Sequence, residues 1–471
     1  MFLASLGVPA ALGATITVTN TNDSGAGSLR NAIAGASAGD TIVFGVTGTI
    51  TLGSSLNINT NLTITGPGAS SLTISGNNAS RVVAVGPGVT AAISDLTVAN
   101  ANTIGEYWGG AILNFGTLTL DRIVATGNVG SQGAILNATG SLTVTNSTLT
   151  NNSASYYGGG IENCCGGTAT VVNSTISGNH ADVAGGGIIN GAGSLRVINS
   201  TIAGNTTSFY LGSGIYNEGT AAISFSTISG NSGAAGIYTT GPSFVMKNVI
   251  VANHSSGNCT GTLTSLGHNL SDDATCLLAG PGDLSNVAAG LDPSGLQNNG
   301  GVTQTVALLP TSAAKDAVPL SYCTDDSGAA VPADERGMTR PQGPSCDIGS
   351  FEVAGALYHV CVLYDPTKAT QSGATIPIKI QLCDGSGNDL SSASITLHAT
   401  GVTQVATSIS GSVQASGNAN PDNDFRFDPT LGPTGGYIFN LSTKGLSTGT
   451  YNLNFTVAGD SFGYVTPFQV K

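Results

Sequence analysis

One stretch of the chain decides the fold: residues 185–205 read GGGIINGAGSLRVINSTIAGN. Its pattern of glycines, Ile, a Ser/Thr/Val-rich segment and Ile-x-x-Asn occurs six times between Gly109 and His254. The isoleucines after the glycines are 22 to 27 residues apart: Ile112, Ile135, Ile161, Ile188, Ile215 and Ile237. The closing asparagines have a similar spacing: Asn128, Asn152, Asn179, Asn205, Asn231 and Asn253. This period predicts a solenoid of stacked coils.

Each repeat predicts three short strands. Ile188 and Asn190 fall on one side of the first strand, and Leu195 and Val197 alternate along the second, because strand side chains have a period of two. Ile202 belongs to the third strand. Such coils stack as parallel strands about 4.8 Å apart, and a single coil cannot bury its apolar side. We therefore predict an all-β chain built on a right-handed parallel β-helix with three-strand coils.

Asparagines at fixed coil positions predict ladders of hydrogen-bonded amides. A buried amide without partners costs about 1–3 kcal/mol, so each ladder has to be nearly continuous. One row follows the inward isoleucines, and the closing asparagines form another: the first row is Asn114, Asn137, Asn163, Asn190 and Asn217. The triplets that begin at Asn146, Asn173 and Asn199 match the glycosylation signature, but they recur with the coil period, which favours a ladder.

Composition excludes several function classes. Charged residues make up 8% of the 471 residues, and the net charge is −13 with only 13 Lys and Arg. A basic stripe, the footprint of nucleic-acid binding, is absent, so no nucleic-acid partner is expected. Beyond the N-terminus, no apolar run approaches the roughly 18 residues of a membrane span. The sequence leaves the oligomeric state open.

The N-terminus and the cysteines indicate export. Residues 1–14 resemble the apolar core and small-residue cleavage site of a signal peptide; the alternative is an N-terminal strand. Six cysteines fall into sequence pairs that predict disulfides in an oxidising compartment: Cys259 with Cys276, Cys323 with Cys346, and Cys361 with Cys383. For the adjacent Cys164 and Cys165, a loop disulfide or two free thiols is favoured over a metal or redox role. We expect an extracellular or bacterial cell-surface location.

Four regions follow the signal segment. Residues 15–100 read as an N-terminal cap and the first coils, with a short helix at residues 28–34 covering the open end of the solenoid. Residues 101–254 are the regular coils, and residues 255–355 are irregular coils and a far-end cap. Short alternating strands then predict an Ig-like β-sandwich over residues 356–471; its expected strands are Thr375–Leu382, Ser394–Ala399, Tyr437–Leu441 and Tyr451–Val457.

Three segments resemble known families. Gly27-Ser28-Leu29-Arg30-Asn31-Ala32 is similar in part to the Cys-Ser-Leu-Arg-Glu-Ala segment of exported bacterial β-helix proteins. Asp334-Glu335-Arg336-Gly337, Arg340-Pro341 and residues 346–352 resemble the closing signature of choice-of-anchor Q domain proteins. Residues 376–380 and 466–471 resemble a PxKF-type domain, and the repeat words are similar to those of polymorphic outer-membrane proteins. These resemblances imply an exported right-handed β-helix displayed at a bacterial surface, without an established reaction.

The loop after each closing asparagine holds the best candidates for a binding site. It carries aromatic residues in alternate coils, and exposed aromatics on a rigid scaffold can stack on sugar rings while polar groups fix orientation. The alternative is that they fold back over the coil corner. The candidate ligand-binding residues are Glu106, Tyr107, Trp108, Tyr156, Tyr157, His180, Asp182, Phe209 and Tyr210.

Catalysis is the alternative function, because parallel β-helices also host pectate lyases and polygalacturonases. The repeats lack the paired-Asp and Gly-His-Gly words of polygalacturonases. Asp272-Asp273 reads as a surface loop, and Glu162 and Glu218 read as solubility charges. Three further isolated residues read as solvated strand positions: Arg122, Arg196 and Lys247.

These observations favour an exported surface protein that mediates adhesion or glycan binding without catalysis. A polysaccharide-active lyase or glycoside hydrolase, with Glu106, His180 or Asp182 as acid/base groups, is the alternative, and a purely structural rod is a third. No catalytic residue is assigned, and no metal or cofactor is expected, except Ca²⁺ under the enzyme alternative. Partners would be extracellular glycans or cell-surface components.

Overall fold

The computed structural model describes residues 13–471 except 107, 210, 356–357, 385–386, 406–409, 412–419, 433 and 461. The predicted signal segment therefore lies almost wholly outside the described residues. The chain divides into two compact units, Met1–Ala354 and Gly355–Lys471. In the described part of the chain, no helix has the length and hydrophobicity of a membrane span.

The first unit is a parallel β-helix whose coils contribute strands to three long sheets, here named A, B and C in coil order. Sheet A has nine strands: Leu56–Ile58, Val83–Val85, Ile112–Asn114, Ile135–Asn137, Ile161–Asn163, Ile188–Asn190, Ile215–Asn217, Ile237–Thr239 and Cys259–Thr260. Sheet B has eleven: Thr15–Val18, Asp40–Phe44, Leu62–Thr65, Thr90–Ser94, Thr117–Asp121, Ser141–Thr145, Thr168–Val172, Ser194–Ile198, Thr220–Ser224, Ser243–Lys247 and Thr264–Ser265. Sheet C has eleven: Gly48–Thr51, Leu72–Ser75, Thr97–Ala99, Val124–Thr126, Thr148–Thr150, Thr175–Ser177, Thr201–Ala203, Thr227–Ser229, Ile250–Ala252, Leu270–Ser271 and Leu284–Ser285.

Five coils add a fourth strand that the three-strand prediction lacked. These strands form sheet D, at the position expected to be the loop after the closing asparagine: Asn102–Thr103, Val129–Gln132, Ser153–Tyr157, His180–Ala181 and Thr206–Thr207. They are short and rich in Ser and Thr, so they show little hydrophobic alternation by which a sequence pattern could identify them.

The columns of equivalent residues are confirmed. The six repeat isoleucines pair in register from Ile112 to Ile237, and all are fully buried. Inward Leu, Val and Ile side chains of sheets A, B and C form one continuous core. The coils therefore bury their apolar sides only because they stack, as the repeat predicts.

The first asparagine ladder is continuous. Each Nδ2 from Asn114 to Asn190 donates to the Oδ1 of the next asparagine at 2.7 Å, and Asn217 ends the row on Thr239 Oγ1 at 3.0 Å. The triplet asparagines also form a ladder. Asn146 donates to Asp121, and Asn199 Nδ2 lies 2.8 Å from Asn173 Oδ1.

The second ladder corrects one position. Asn128 to Asn231 bond in series at 2.8–3.0 Å, but Asn253 is exposed. Ile228 pairs with Val251 rather than with Ile250, so the next residue in the column is His254. Its Nδ1 accepts the Asn231 N–H at 3.1 Å. Burial lowers the pKa of His254.

The N-terminal helix is confirmed as Leu29–Gly35. Ser28 caps it, with its hydroxyl accepting the Asn31 N–H at 3.2 Å. Leu29, Ala32 and Ile33 are buried in the core of the coils, so the helix packs against the first coils as an end cover.

The expected far-end cap is instead a strap along the side of the solenoid, which we define as residues 291–352. After the last coils it forms the hairpin Leu291–Gln297 and Thr305–Leu308 and the 3-10 helix Leu320–Tyr322. It then contacts sheet C several coils back: Thr175 Oγ1 donates to Glu335 at 3.0 Å, and Ser350 N–H donates to Thr227.

Two basic residues that we predicted to be solvated strand positions, Arg196 and Lys247, instead hold the strap. Arg196 pairs with Asp325 and Asp326 at 2.9 and 2.8 Å, and Lys247 Nζ donates to the Asp325 carbonyl at 3.1 Å. Arg122, in contrast, pairs with Asp95 of the preceding coil and with the adjacent Asp121. The prediction failed for Arg196 and Lys247 because their partners are distant in sequence.

The three predicted disulfides are confirmed. Cys259–Cys276 links the last coils, Cys323–Cys346 lies within the strap, and Cys361–Cys383 lies in the second unit.

The second unit is an antiparallel β-sandwich. One sheet, in spatial order, contains His359–Val362, Thr375–Cys383, Gly436–Ser442 and Arg426–Asp428. The other contains Ser410–Gly411, Leu397–Gln404, Gly449–Val457 and Gly463–Val470. A short 3-10 helix spans Pro421–Asn423. Buried side chains of both sheets form a single core. The strand predicted at Ser394 begins three residues later, at Leu397.

Candidate functional site

Sheet D positions the polar part of the site. His180 pairs in register with Ser153 of the preceding coil and with Thr206 of the following one. Its neighbour Ala181 is fully buried, and because side chains alternate along a strand, the imidazole lies on the outer face. The stacking of coils thus fixes the position of this histidine from both sides.

His180 connects a carboxylate and two hydroxyl groups. Its Nδ1 lies 2.8 Å from Thr206 Oγ1, and its Nε2 lies 3.1 Å from Asp182 Oδ1. Ser208 Oγ is 3.3 Å from both Asp182 Oδ1 and His180 Nε2. With the Nε2 proton donated to Asp182, Nδ1 accepts from the Thr206 hydroxyl. The arrangement presents donors and acceptors side by side on a half-exposed surface.

Aromatic residues occur in the coils before and after this polar cluster. Tyr156 and Tyr157 are 55% and 38% exposed, with ring centroids 6.3 Å apart. The Tyr156 carbonyl accepts the Val183 N–H at 2.9 Å, which places Tyr156 one coil before Asp182. Phe209, 58% exposed, directly follows Ser208 in the next coil. We name Tyr156, Tyr157, His180, Asp182 and Phe209, with Thr206 and Ser208, the edge site.

The remaining candidates do not join the edge site. Trp108 is half-buried and packs against Phe115, with ring centroids 5.5 Å apart. Glu106 pairs with Arg81 at 2.6 Å. Both belong to the coil two before Tyr156, where these contacts hold them. Tyr107 and Tyr210 lie outside the described residues.

Sequence reasoning missed Thr206 and Ser208. They follow His180 and Asp182 by 26 residues each, which is one coil, so the repeat itself placed them next to the imidazole and the carboxylate. Applying the repeat period to the polar loop residues, and not only to the isoleucines, would have identified both hydroxyls.

A second group lies on the outer face of sheet A. The middle residues of its strands stack in one column of mostly large apolar side chains: Leu113, Leu136, Glu162, Ile189 and Tyr216. Glu162 is only 8% exposed, and its Oε2 is buried without a hydrogen-bond partner. Burial raises the pKa of Glu162 to about 7. Its interpretation as a solubility charge was wrong, because the neighbouring coils cover it.

Acidic residues near the last coils have structural roles. Asp272 accepts the Asn253 N–H and Asp273 accepts the Asn258 N–H, both at 2.9 Å. Glu218, which is exposed, accepts the Tyr216 hydroxyl at 2.8 Å.

Across the described ranges, no group of three or more His, Cys, Asp or Glu side chains is placed to hold a metal ion.

No family model matches the chain, and no curated protein matches it. Among solved structures, the chain is similar to a crystal structure of the pectate lyase Pel9A. The two are 11% identical, with a TM-score of 0.42 over 73% of this chain and 97% of that one.

Proposed function

We propose that the protein is an exported, surface-associated β-helix that binds glycans through the edge site. The observation that carries this proposal is the placement of exposed aromatic rings one coil before and one coil after the Asp182 carboxylate. Sugar rings present apolar C–H faces and peripheral hydroxyls, which match aromatic planes and hydrogen-bonding groups respectively.

Rigidity supports binding. The rings and the polar cluster belong to consecutive coils whose backbones bond to each other through sheet D, so little ordering entropy would be lost on association. Exposed large apolar side chains grouped on one surface are typical of interaction sites rather than of inert surface.

A direct test is a glycan array followed by titration calorimetry on the best ligand. Tyr156→Ala combined with Phe209→Ala is expected to weaken binding at least tenfold, because truncating an aromatic residue that anchors a ligand typically costs more than about 1 kcal/mol. Leu277→Ala, at an exposed apolar residue outside the edge site, is the matched control and is expected to bind like the wild type. Equal binding by all three proteins would contradict the proposal.

Polysaccharide cleavage is the second candidate, favoured by one observation: Asp182, His180 and Thr206 form a carboxylate–imidazole–hydroxyl series. Such a series can hold an imidazole as a general base. Product release from acidic and neutral polysaccharides, abolished by His180→Gln while binding is retained, would support cleavage. Binding without any product would restrict the edge site to recognition.

A further inference from the structure

Two adjacent cysteines lie at the corner between strands Ile161–Asn163 and Thr168–Val172. Cys164 is half-buried and Cys165 is exposed, and neither belongs to the three disulfides. Their Sγ atoms are 2.6 Å apart, within about 0.6 Å of a disulfide bond length. Cys165 has φ of 60°, a left-handed conformation that turns the chain sharply at this point.

The surroundings of the two sulfur atoms differ. Cys164 Sγ lies 3.7 Å from the Ala138 carbonyl oxygen and packs beside Leu113 and Leu136. Burial, then contact with Cys165 and the charge of Glu162, raise the pKa of the Cys164 thiol. Cys165 is therefore the sulfur open to a reactant from solvent, and Cys164 is the sulfur that needs a nearby base.

Glu162 is suited to act as that base. It is the middle residue of strand Ile161–Asn163 and precedes Cys164 by two residues. Glu162 pairs with Leu136 in sheet A, and Cys164 packs against the apolar cluster that contains Leu136. The charge of Glu162 acts on the thiol. Its buried Oε2 has no hydrogen-bond partner. Burial raises the pKa of Glu162 to about 7, so near neutral pH a part of the population is ionised and can accept a proton.

We infer that Cys164 and Cys165 form a redox-active pair that closes to a vicinal disulfide by exchange with a small-molecule disulfide, with Glu162 accepting the Cys164 proton. The Cys165 thiolate, its proton lost to water, attacks one sulfur of the small disulfide, and the other sulfur leaves as a thiolate. Cys164 then gives its proton to Glu162 and attacks Cys165 Sγ, which expels the second small thiolate. The protein loses two electrons, and the small disulfide is reduced to two thiols.

This ring is expected to open more easily than the other three disulfides. Adjacent Cα atoms are about 3.8 Å apart across a trans peptide, whereas disulfides prefer Cα separations of roughly 4.4–6.8 Å. The vicinal ring also closes no chain loop, so it lacks the stabilisation that a long loop provides. Strained and exposed disulfides are the labile ones.

In the test, the full-length protein is equilibrated in glutathione buffers that cover a range of reduction potentials. The reaction is quenched with acid, free thiols are alkylated, and the peptides are mapped by mass spectrometry. The expected result is a range of poise in which the 164–165 peptide passes from two alkyl groups to none, with two hydrogens lost, while the other three pairs stay oxidised. Two alkyl groups at every poise, stable glutathione adducts, or opening only together with the other disulfides would overturn the inference.

Variants separate the roles of the three residues. Cys164→Ser is expected to stop at a single glutathione adduct on Cys165. Glu162→Gln is expected to slow ring closure at least tenfold at neutral pH, as loss of a general base does, and Glu218→Gln is the matched control with the wild-type rate. Circular dichroism confirms folding of each variant. An unchanged closure rate in Glu162→Gln would refute its role as proton acceptor.

Discussion

At the scale of single residues, position in a column matters more than the local motif. Asn179 and Asn253 both close an Ile-x-x-Asn word. Asn179 is fully buried, and its Nδ2 donates to Leu149 O at 2.9 Å and to Asn205 Oδ1 at 3.0 Å. Asn253 is exposed because His254 occupies the equivalent place in the next coil. The same Ile-x-x-Asn motif therefore contributes differently to stability in the two coils.

The matched substitutions Asn179→Asp and Asn253→Asp test this difference. Asn179→Asp removes both donated bonds and buries a carboxyl, so we expect the free energy of unfolding to fall by about 2 kcal/mol or more. Asn253→Asp is expected to change it by less than about 0.5 kcal/mol. Urea denaturation gives both values, and similar losses in the two variants would contradict the ladder.

At the scale of elements, the strap is held by buried polar groups rather than by apolar packing alone. Arg340 Nη1 lies 2.6 Å from Glu352 Oε2, with both side chains buried, and its guanidinium lies 4.6 Å from the Phe225 ring centre. Glu335 is buried among the hydroxyls of Thr175, Thr201 and Thr303. Residues 334–352 therefore fasten the strap to sheet C.

Burial raises the pKa of Glu335 to about 8, from an ordinary value of 4.5. Between these values the folded protein binds a proton that the unfolded chain releases, so the contribution of Glu335 to stability is fully present below pH 4.5 and is lost as the pH rises to 8. The shift corresponds to roughly 4–5 kcal/mol at most. Asp347 and Glu352, whose pKa values burial also raises, contribute a slope of the same sign.

Glu335→Gln is expected to remove the largest part of this pH dependence, because the amide has the same shape and cannot ionise. Thermal unfolding of both proteins between pH 5 and 8.5 gives the comparison. The wild-type Tm is expected to fall clearly more steeply than that of the variant, with Glu106→Gln, at a half-exposed ion pair, as the substitution control. Parallel Tm profiles would show that Glu335 is not protonated in the folded state.

At the scale of the whole molecule, the repeat predicts what is local and periodic. The columns of Ile188 and its equivalents, the asparagine ladders and the helix after Ser28 all follow from spacing and residue type. Sheet D was missed because its strands lack alternation. The strap was missed because its contacts, such as Arg196 with Asp326, join residues about 130 positions apart and leave no periodic signal.

In the edge site, too, the periodic features could be predicted from the sequence and the non-periodic contacts could not. Its aromatic residues were visible as a recurring loop feature, and its hydroxyls could have been found by counting one coil from His180 and Asp182. Glu162 carried a weaker signal: it is the charged member of an otherwise apolar column. Trp108 packs against Phe115, and Glu106 pairs with Arg81. The repeat spacing does not connect these partners, so the sequence could not predict that Trp108 and Glu106 lie outside the edge site.

The account depends most on the register of successive coils, which engineered disulfides test directly. Thr143 and Thr170 are outward-facing, paired residues of adjacent strands in sheet B, within disulfide range. Thr143→Cys with Thr170→Cys is expected to form a new disulfide, detected by peptide mapping without reduction. Thr143→Cys with Val172→Cys, displaced by two residues or about 8 Å, is expected to stay reduced. A bond in the displaced pair and none in the paired one would contradict the stacked-coil register.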